Sequence, residues 1–173
     1  MIRVLCPNQV AKSVCEIDLE ALADRGIKGL ILDLDNTLMG WDAVEMSPQV
    51  FEWVSSLREQ GFRLCIASNA LDERVRAVSE ELGIPAIAKA TKPRKRPFRK
   101  ALDLLGLAPE EAAVIGDQIF TDILGGNRMD MHTILISPIS EKELRTTRLV
   151  RRIERRVLSR LRKKGLLHGT SGC

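Results

Sequence analysis

The sequence predicts an α/β protein built on a parallel β-sheet that carries helices on both faces. Five short apolar runs alternate along the chain with segments of helical periodicity. The runs are almost continuously apolar, which is typical of parallel strands that are buried on both faces. Glycines at positions 61, 83 and 106 follow three of the helical segments and favour helix ends there.

The predicted elements alternate in a regular order. A helix is expected near residues 17–24, before the first strand. The five strands are predicted at residues 29–34, 62–67, 85–88, 112–115 and 133–136. The intervening helices are predicted at residues 48–60, 72–82, 97–105 and 119–127.

The charge distribution divides the chain into two parts. The 173 residues carry a formal net charge of +4, but residues 141–173 hold eleven Lys and Arg against three Glu. The remainder is therefore mildly acidic. We expect one domain over residues 1–140, a basic amphipathic helix over 141–164 and a disordered tail over 165–173.

Composition indicates a soluble globular protein, since 45% of the residues are apolar and 29% are charged. No apolar run reaches the roughly 18 residues of a membrane-spanning helix. The N-terminal segment is too short and too polar for a secretory signal. The four cysteines have neither CxxC spacing nor a histidine cluster, so neither a zinc site nor a disulfide framework is indicated. A cytoplasmic location is expected.

Polar side chains follow four of the predicted strands, at or soon after the point where each strand ends. In a parallel sheet these ends share one edge, where ligands bind, so the side chains are expected to converge. They are Asp33, Asp35 and Thr37 after the first strand, Ser68 and Asn69 after the second, Lys92 after the third, and Asp117 and Asp122 after the fourth.

These residue types suit the hydrolysis of a phosphate ester. A carboxylate such as Asp33 can attack phosphorus, and Asp35 could return to the same side of the chain to exchange protons. Because carboxylate and phosphate repel each other, the site needs a cation, and Asp33 with Asp117 offers the oxygen ligands that Mg²⁺ prefers. Ser68 and Lys92 supply a hydroxyl and a charge for the phosphoryl oxygens.

The same residues resemble the motifs of the haloacid dehalogenase-like (HAD) superfamily. Residues 33–37 (DLDNT) resemble its first motif, Ser68 its second, Lys92 its third and residues 116–122 (GDQIFTD) its fourth. An Asp two residues after the nucleophile is the phosphatase form of the first motif.

This resemblance implies a Rossmann-like core and a nucleophile at Asp33. It also implies Mg²⁺ on the side chains of Asp33 and Asp117 and on the backbone carbonyl of Asp35, with Asp122 in support. The implied contacts to substrate phosphate come from Thr37, Ser68, Asn69 and Lys92.

Residues 7–42, 90–93 and 116–128 resemble more specifically the YqeG family of that superfamily. The resemblance covers residues 5–140 and implies a Mg²⁺-dependent phosphomonoester hydrolase. Related members remove the terminal phosphate of phosphatidylglycerophosphate, which makes an anionic phospholipid the expected substrate. The alternatives are a soluble, protein or nucleic-acid phosphate, or a non-catalytic module that binds RNA or ribosomes.

Two side-chain assignments stay open at this point. Lys92 competes with Lys89 and Lys95 in a basic loop, although the Lys92-Pro93 pair favours Lys92. Trp41 is equally compatible with a substrate-facing lid and with local packing.

Spacing and charge limit the substrate. One helix and one strand use up most of the segments between Asp33, Ser68 and Lys92, which leaves no room for a cap domain and predicts an open site. The basic helix over 141–164 suits peripheral contact with an anionic membrane. Its apolar stripe could instead pack on the domain, and its arginines could bind nucleic acid.

Overall fold

A computed structural model describes residues 2–140 and 145–167, and it contains a six-stranded sheet. The strands follow the order β1-β6-β5-β2-β3-β4, and all the pairings between them are parallel. Chain order reverses between β2 and β5, so the ends of these two neighbours form the switch point where ligands bind. The strands are β1 (Gln9–Ala11), β2 (Gly29–Leu32), β3 (Arg63–Ala67), β4 (Ala86–Ile87), β5 (Ala112–Gly116) and β6 (His132–Ile136).

The predicted count of five strands is wrong by one. The additional strand, β1, lies at the edge of the sheet and pairs Gln9 with Ile134 of β6. It is only three residues long, and Ala11 is its one fully buried residue, so no apolar run marks it. The other five strands lie within two residues of their predicted bounds.

Within the described ranges, six α-helices connect or flank these strands. They are α1 (Leu19–Asp24), α2 (Pro48–Glu59), α3 (Asp72–Leu82), α4 (Lys95–Leu105), α5 (Leu124–Asn127) and α6 (Arg145–Lys163). Ser47 caps α2 by accepting the N–H of Val50. Gly83 and Gly106 end α3 and α4 with φ of 63° and 62°, in the left-handed region that glycine tolerates.

The predicted helix over 119–127 is divided in two. Residues Ile119–Ile123 form a π-helical turn, and α5 follows it directly. In this wider turn the side chain of Asp122 folds back to accept the N–H of Gln118. The departure from a regular helix therefore falls at one of the predicted site residues.

The sheet is covered on both faces, as predicted. Leu30 and Leu32 of β2 pack in the cluster that includes α2 and α3, whereas Ile31 between them packs with Phe98 of α4. Val157 of α6 joins a third, smaller cluster on the domain. None of the helices in the described ranges is long and apolar enough to cross a membrane.

The structure describes every residue of the two segments in which a cap domain could be inserted. Between Asp33 and Ser68 the chain forms α2 and β3, and between Ser68 and Lys92 it forms α3 and β4. No domain is inserted in either segment, so the carboxyl edge of the sheet is uncapped. The start of the predicted basic helix (141–144) and the end of the tail (168–173) lie outside the described residues.

Candidate active site

The four predicted catalytic residues line one open cleft at the carboxyl edge of the sheet; they are Asp33, Asp35, Ser68 and Lys92. Asp33 follows β2, Ser68 follows β3 and Asp117 follows β5, so adjacent strands bring them together. The cleft has a volume of about 300 Å³. Its lining consists of Asp33, Asp35, Asn36, Trp41, Ser68, Asn69, Ala70, Lys92, Gln118 and Thr121.

Asp33 is buried and tied to the sheet. Its backbone N–H donates to the carbonyl of Ile115 on β5 at 2.9 Å. Carboxylate oxygen Oδ1 lies 2.5 Å from Lys92 Nζ, and Oδ2 accepts the hydroxyl of Thr37 at 3.4 Å. Burial raises the pKa of Asp33 to about 6, against the lowering effect of the Lys92 charge.

The turn after Asp33 determines where Thr37 lies. Asn36 adopts a φ of 63°, a left-handed conformation that Asn tolerates better than most residues. The carbonyl of Leu34 accepts the N–H of Thr37, which folds the chain back. Thr37 is fully buried and does not line the cleft. This placement does not support the predicted contact with substrate phosphate, because the hydroxyl of Thr37 instead holds Asp33.

Lys92 is the lysine that reaches Asp33. Its Nζ lies 2.5 Å from Asp33 Oδ1 and 2.6 Å from Asp122 Oδ1. Lys89 forms an exposed ion pair with α3, and Lys95 is exposed at the start of α4. Burial by itself lowers the pKa of Lys92, but the two carboxylates outweigh burial and raise it. The amine therefore stays charged.

Ser68 and Asn69 follow β3 and line the cleft, as predicted. Ser68 Oγ accepts the N–H of Ala70 at 3.1 Å, which leaves its own proton for an oxygen in the cleft. Asn69 Oδ1 accepts the backbone N–H of Lys92 at 2.9 Å. Asn69 thus joins the loop after β3 to the loop that carries Lys92.

Three buried carboxylates form a cluster that suits a divalent cation. Oxygen atoms of Asp33, Asp117 and Asp122 lie within 4.8 Å of one another. Asp117 Oδ1 is buried without a hydrogen-bond partner among residues 2–140 and 145–167. Burial, and next the charge of Asp33, raise the pKa of Asp117 to about 8. A hard cation such as Mg²⁺ fits this set of oxygen donors, because it would partner the orphaned oxygen and reduce the repulsion.

Asp122 is held at the end of β5 by its neighbours. Its Oδ2 accepts the N–H of Gln118 at 3.2 Å and the hydroxyl of Thr121 at 3.1 Å. A Cβ at Gly116 would lie 2.3 Å from Asp122 Cγ. Glycine at this position therefore gives Asp122 the room to reach the cluster.

Arg74 of α3 is a candidate site residue that the sequence analysis missed. Its Nε donates to Asp35 Oδ1 at 2.8 Å. Its two other guanidinium nitrogens donate to the carbonyls of Gly40 and Ala43, each at 2.7 Å. Arg74 thereby fixes Asp35 and the loop that carries Trp41, which lines the cleft and is 38% exposed. No motif distinguishes Arg74 from the other charged residues of α3.

Helix α6 contributes two further residues that were not predicted at the site. Arg151 donates to both the carbonyl and the carboxylate of Asp117. Glu154 is buried and accepts the N–H of Ile119 at 2.7 Å and of Phe120 at 3.3 Å. A lone glutamate among arginines was the available signal that one face of this helix contacts the domain.

Comparisons with known proteins agree with this geometry. Residues 17–130 match the family described as haloacid dehalogenase-like hydrolase. The chain belongs to this family. It is 44% identical to the probable phosphatase YqeG of Bacillus subtilis, over 92% of each chain.

Two other matches have lower sequence identity to this HAD chain. It is 29% identical to phosphatidylglycerophosphate phosphatase 1, chloroplastic/mitochondrial, of Arabidopsis thaliana, over 92% of this chain but only 49% of that longer protein. The crystal structure of an uncharacterized protein from Listeria monocytogenes serotype 4b superposes with a TM-score of 0.56 at 22% identity, and covers 68% of this chain and 85% of its own. The latter match supports the fold.

Replacing Arg74 with Ala should lower kcat of this HAD enzyme by roughly 10²-fold, because Asp35 and the Trp41 loop lose their shared anchor. Arg74→Lys should lose less, since one of the three contacts can be kept. Arg76→Ala is the matched control on the same helix, where the side chain is exposed and, among the residues that the structure describes, forms an ion pair with Glu80 alone. Steady-state kinetics on an aryl phosphate measures the effect. Equal losses in Arg74→Ala and Arg76→Ala would contradict the assigned role.

The raised pKa of Asp117 predicts a pH-dependent stability in the presence of a chelator. The folded state holds a proton on Asp117 up to about pH 8, whereas the unfolded chain releases it near 3.8. Stability from this group is therefore lost as pH rises towards 8. The Tm of Asp117→Asn minus that of the wild type should increase from pH 5 to pH 8 and then level off. A difference that stays constant or shrinks would be inconsistent with the raised pKa.

Proposed function

We propose that this enzyme, a phosphatase of the HAD family, hydrolyses phosphomonoesters through a phosphoryl group carried on Asp33. The observation that carries this proposal is the 2.5 Å contact between Lys92 Nζ and Asp33. A carboxylate that attacks a phosphate must overcome the repulsion between the two anions, and a buried ammonium group beside it offsets that repulsion. Ser68 lines the same cleft with a proton to donate.

The reaction takes place in two steps. First, an oxygen of Asp33 attacks phosphorus, the bond to the leaving oxygen breaks, and Asp35 gives its carboxylic proton to that oxygen. Next, a water molecule attacks the phosphorus of the acyl phosphate while the carboxylate of Asp35 takes its proton. The bond to Asp33 then breaks and phosphate is released. Ser68 and Lys92 stabilise the charge on the phosphoryl oxygens in both steps.

Mg²⁺ is the proposed cofactor, which Asp33 and Asp117 would hold by their side chains and Asp35 by its backbone carbonyl, with Asp122 in support. When bound, it would supply positive charge to the phosphoryl oxygens. The clustered carboxylates and the orphaned Asp117 oxygen support this assignment.

A lipid phosphomonoester is the proposed substrate class. The cleft is uncapped, which suits a phosphate carried by a large molecule better than a metabolite that has to be enclosed. The Arabidopsis relative is named a phosphatidylglycerophosphate phosphatase, and the same substrate, which yields phosphatidylglycerol, is proposed here. Such a substrate would bring the enzyme to a membrane surface, where the arginines of α6 would be attracted to anionic lipids.

This proposal predicts faster turnover of phosphatidylglycerophosphate in detergent micelles than of soluble esters in the presence of Mg²⁺. The comparison esters are glycerol 3-phosphate, a phosphopeptide and a 5′-phosphorylated oligonucleotide. We expect kcat/KM to favour the lipid by about 10²-fold, because only the lipid uses binding energy outside the reacting phosphate. Phosphate release is the measurement, and a soluble ester favoured by a similar margin would contradict the lipid assignment.

Two variants control for the chemistry in that panel. Asp33→Asn should abolish phosphate release from every ester. Asp72→Asn makes the same change in an exposed pair with Lys89 and should match the wild type. A wild-type protein that turns over no ester with any divalent cation would contradict the phosphatase proposal and favour a binding module.

A further inference from the structure

A second groove lies beside the catalytic cleft, between α6 and the sheet edge formed by β1 and β6. Its volume is about 530 Å³. Val10, Leu135 and Leu158 contribute apolar surface to it. Asp117 lines this groove, and the next residue, Gln118, lines the catalytic cleft. The two sites are therefore neighbours.

The α6 side of this groove is strongly basic. Arg152, Arg155 and Arg162 line it and are exposed. None of the three has a carboxylate within ion-pair distance in the part of the chain that the structure describes. Guanidinium groups without a carboxylate partner suit a phosphate group, because each can donate two parallel hydrogen bonds to two of its oxygens.

The arginines are spaced along the groove away from the metal-ligand candidate. Arg151 contacts Asp117, and Arg155 follows Arg151 by four residues, or about 6 Å of helix. Arg162 follows Arg151 by 11 residues, or roughly 16 Å of helix. Leu158 lies between Arg155 and Arg162 on the same face. The groove thus combines positive charge along its length with apolar surface between the charges.

We propose that this groove binds the phosphodiester and the adjoining acyl segment of an anionic phospholipid. This inference rests on the proposed function, since the same lipid molecule would present its terminal phosphate to Asp33, with the glycerol linker passing Asp117. The three arginines complement the negative charge of a phosphodiester, and the apolar lining suits an acyl chain. Both features support a lipid as the occupant. No aromatic side chain lines the groove among the residues described, so it lacks the stacking surface typical of single-stranded nucleic-acid sites.

The test measures binding of dihexanoylphosphatidylglycerol to the full chain by calorimetry, below the concentration at which this lipid forms micelles. The lipid has a phosphodiester but no terminal phosphate, so binding does not require turnover. The double variant Arg155→Ala/Arg162→Ala should raise Kd by about 10²-fold, or tenfold for each charged hydrogen bond lost. The matched double variant Arg156→Ala/Arg160→Ala removes the same charge from exposed positions of α6 outside the groove. Its Kd should stay within about twofold of the wild type.

Each of four results would overturn the proposal that the groove binds lipid. An equal rise in Kd for the lipid in both double variants would indicate general attraction to a basic helix and not a specific groove. The absence of saturable lipid binding by the wild type would also contradict the proposal. Tighter binding of a short single-stranded RNA, lost in the same groove variant, would assign the groove to nucleic acid. Wild-type phosphate release from phosphatidylglycerophosphate tests the proposed function separately. If the wild type hydrolyses phosphatidylglycerophosphate but the groove variant binds the lipid as tightly as the wild type, only the groove proposal is wrong. If binding depends on the groove but the wild type releases no phosphate, only the proposed function is wrong.

Discussion

The ammonium group of Lys92 makes the contact on which the rest of the site depends. It lies within 2.6 Å of carboxylate oxygens of both Asp33 and Asp122, in a part of the protein with almost no solvent exposure. Leaving a buried carboxylate unpaired costs several kcal/mol, so an unneutralised cluster would take up protons. The pKa of Asp33, beside Lys92, rises only to about 6, whereas that of Asp117 rises to about 8 even with Arg151 beside it. Burial raises both pKa values, and the positive charges of Lys92 and Arg151 limit that rise.

The fold brings these charges together through the topology of its sheet. β2 and β5 are neighbours at the point where chain order reverses, and Leu32 pairs with Ile115 one residue before Asp33 and two residues before Asp117. The two aspartates leave the sheet side by side as a result. Gly116 then leaves space for Asp122 to return from the π-helical turn. Each of these features is local, but their effect is to place three carboxylates around a single point.

Local sequence patterns were sufficient to predict the site residues that come directly after strands. Asp33, Ser68 and Asp117 could be predicted because a strand end fixes both their position and their direction. Lys92 could be chosen over Lys89 and Lys95 only through its pairing with Pro93 and the family pattern, and the structure places it at Asp33. The predicted phosphate contact of Thr37 is not supported, because the turn through Asn36 directs that side chain behind Asp33.

The features that the sequence analysis missed depend on contacts between distant segments. Arg74 reaches Asp35 across 39 positions, and Arg151 reaches Asp117 across 34. In the sequence of a helix, such arginines cannot be distinguished from solvated ones. The periodicity indicates which face is apolar, but it does not indicate which charged side chain has a partner. β1 was missed for a related reason, because an edge strand of three residues needs no apolar run. The arginine-lined groove likewise exists only where α6 lies against β6.

Peptide mapping of acid-quenched enzyme tests most directly whether Asp33 carries the phosphoryl group. The enzyme would be mixed with Mg²⁺ and excess substrate, quenched during turnover, digested at low pH and analysed by mass spectrometry. We expect one acid-stable, base-labile phosphoryl group on the peptide that contains Asp33, and none on the corresponding peptide of Asp33→Asn. Turnover without a phosphorylated peptide, or a phosphoryl group on Ser68 instead, would contradict this mechanism.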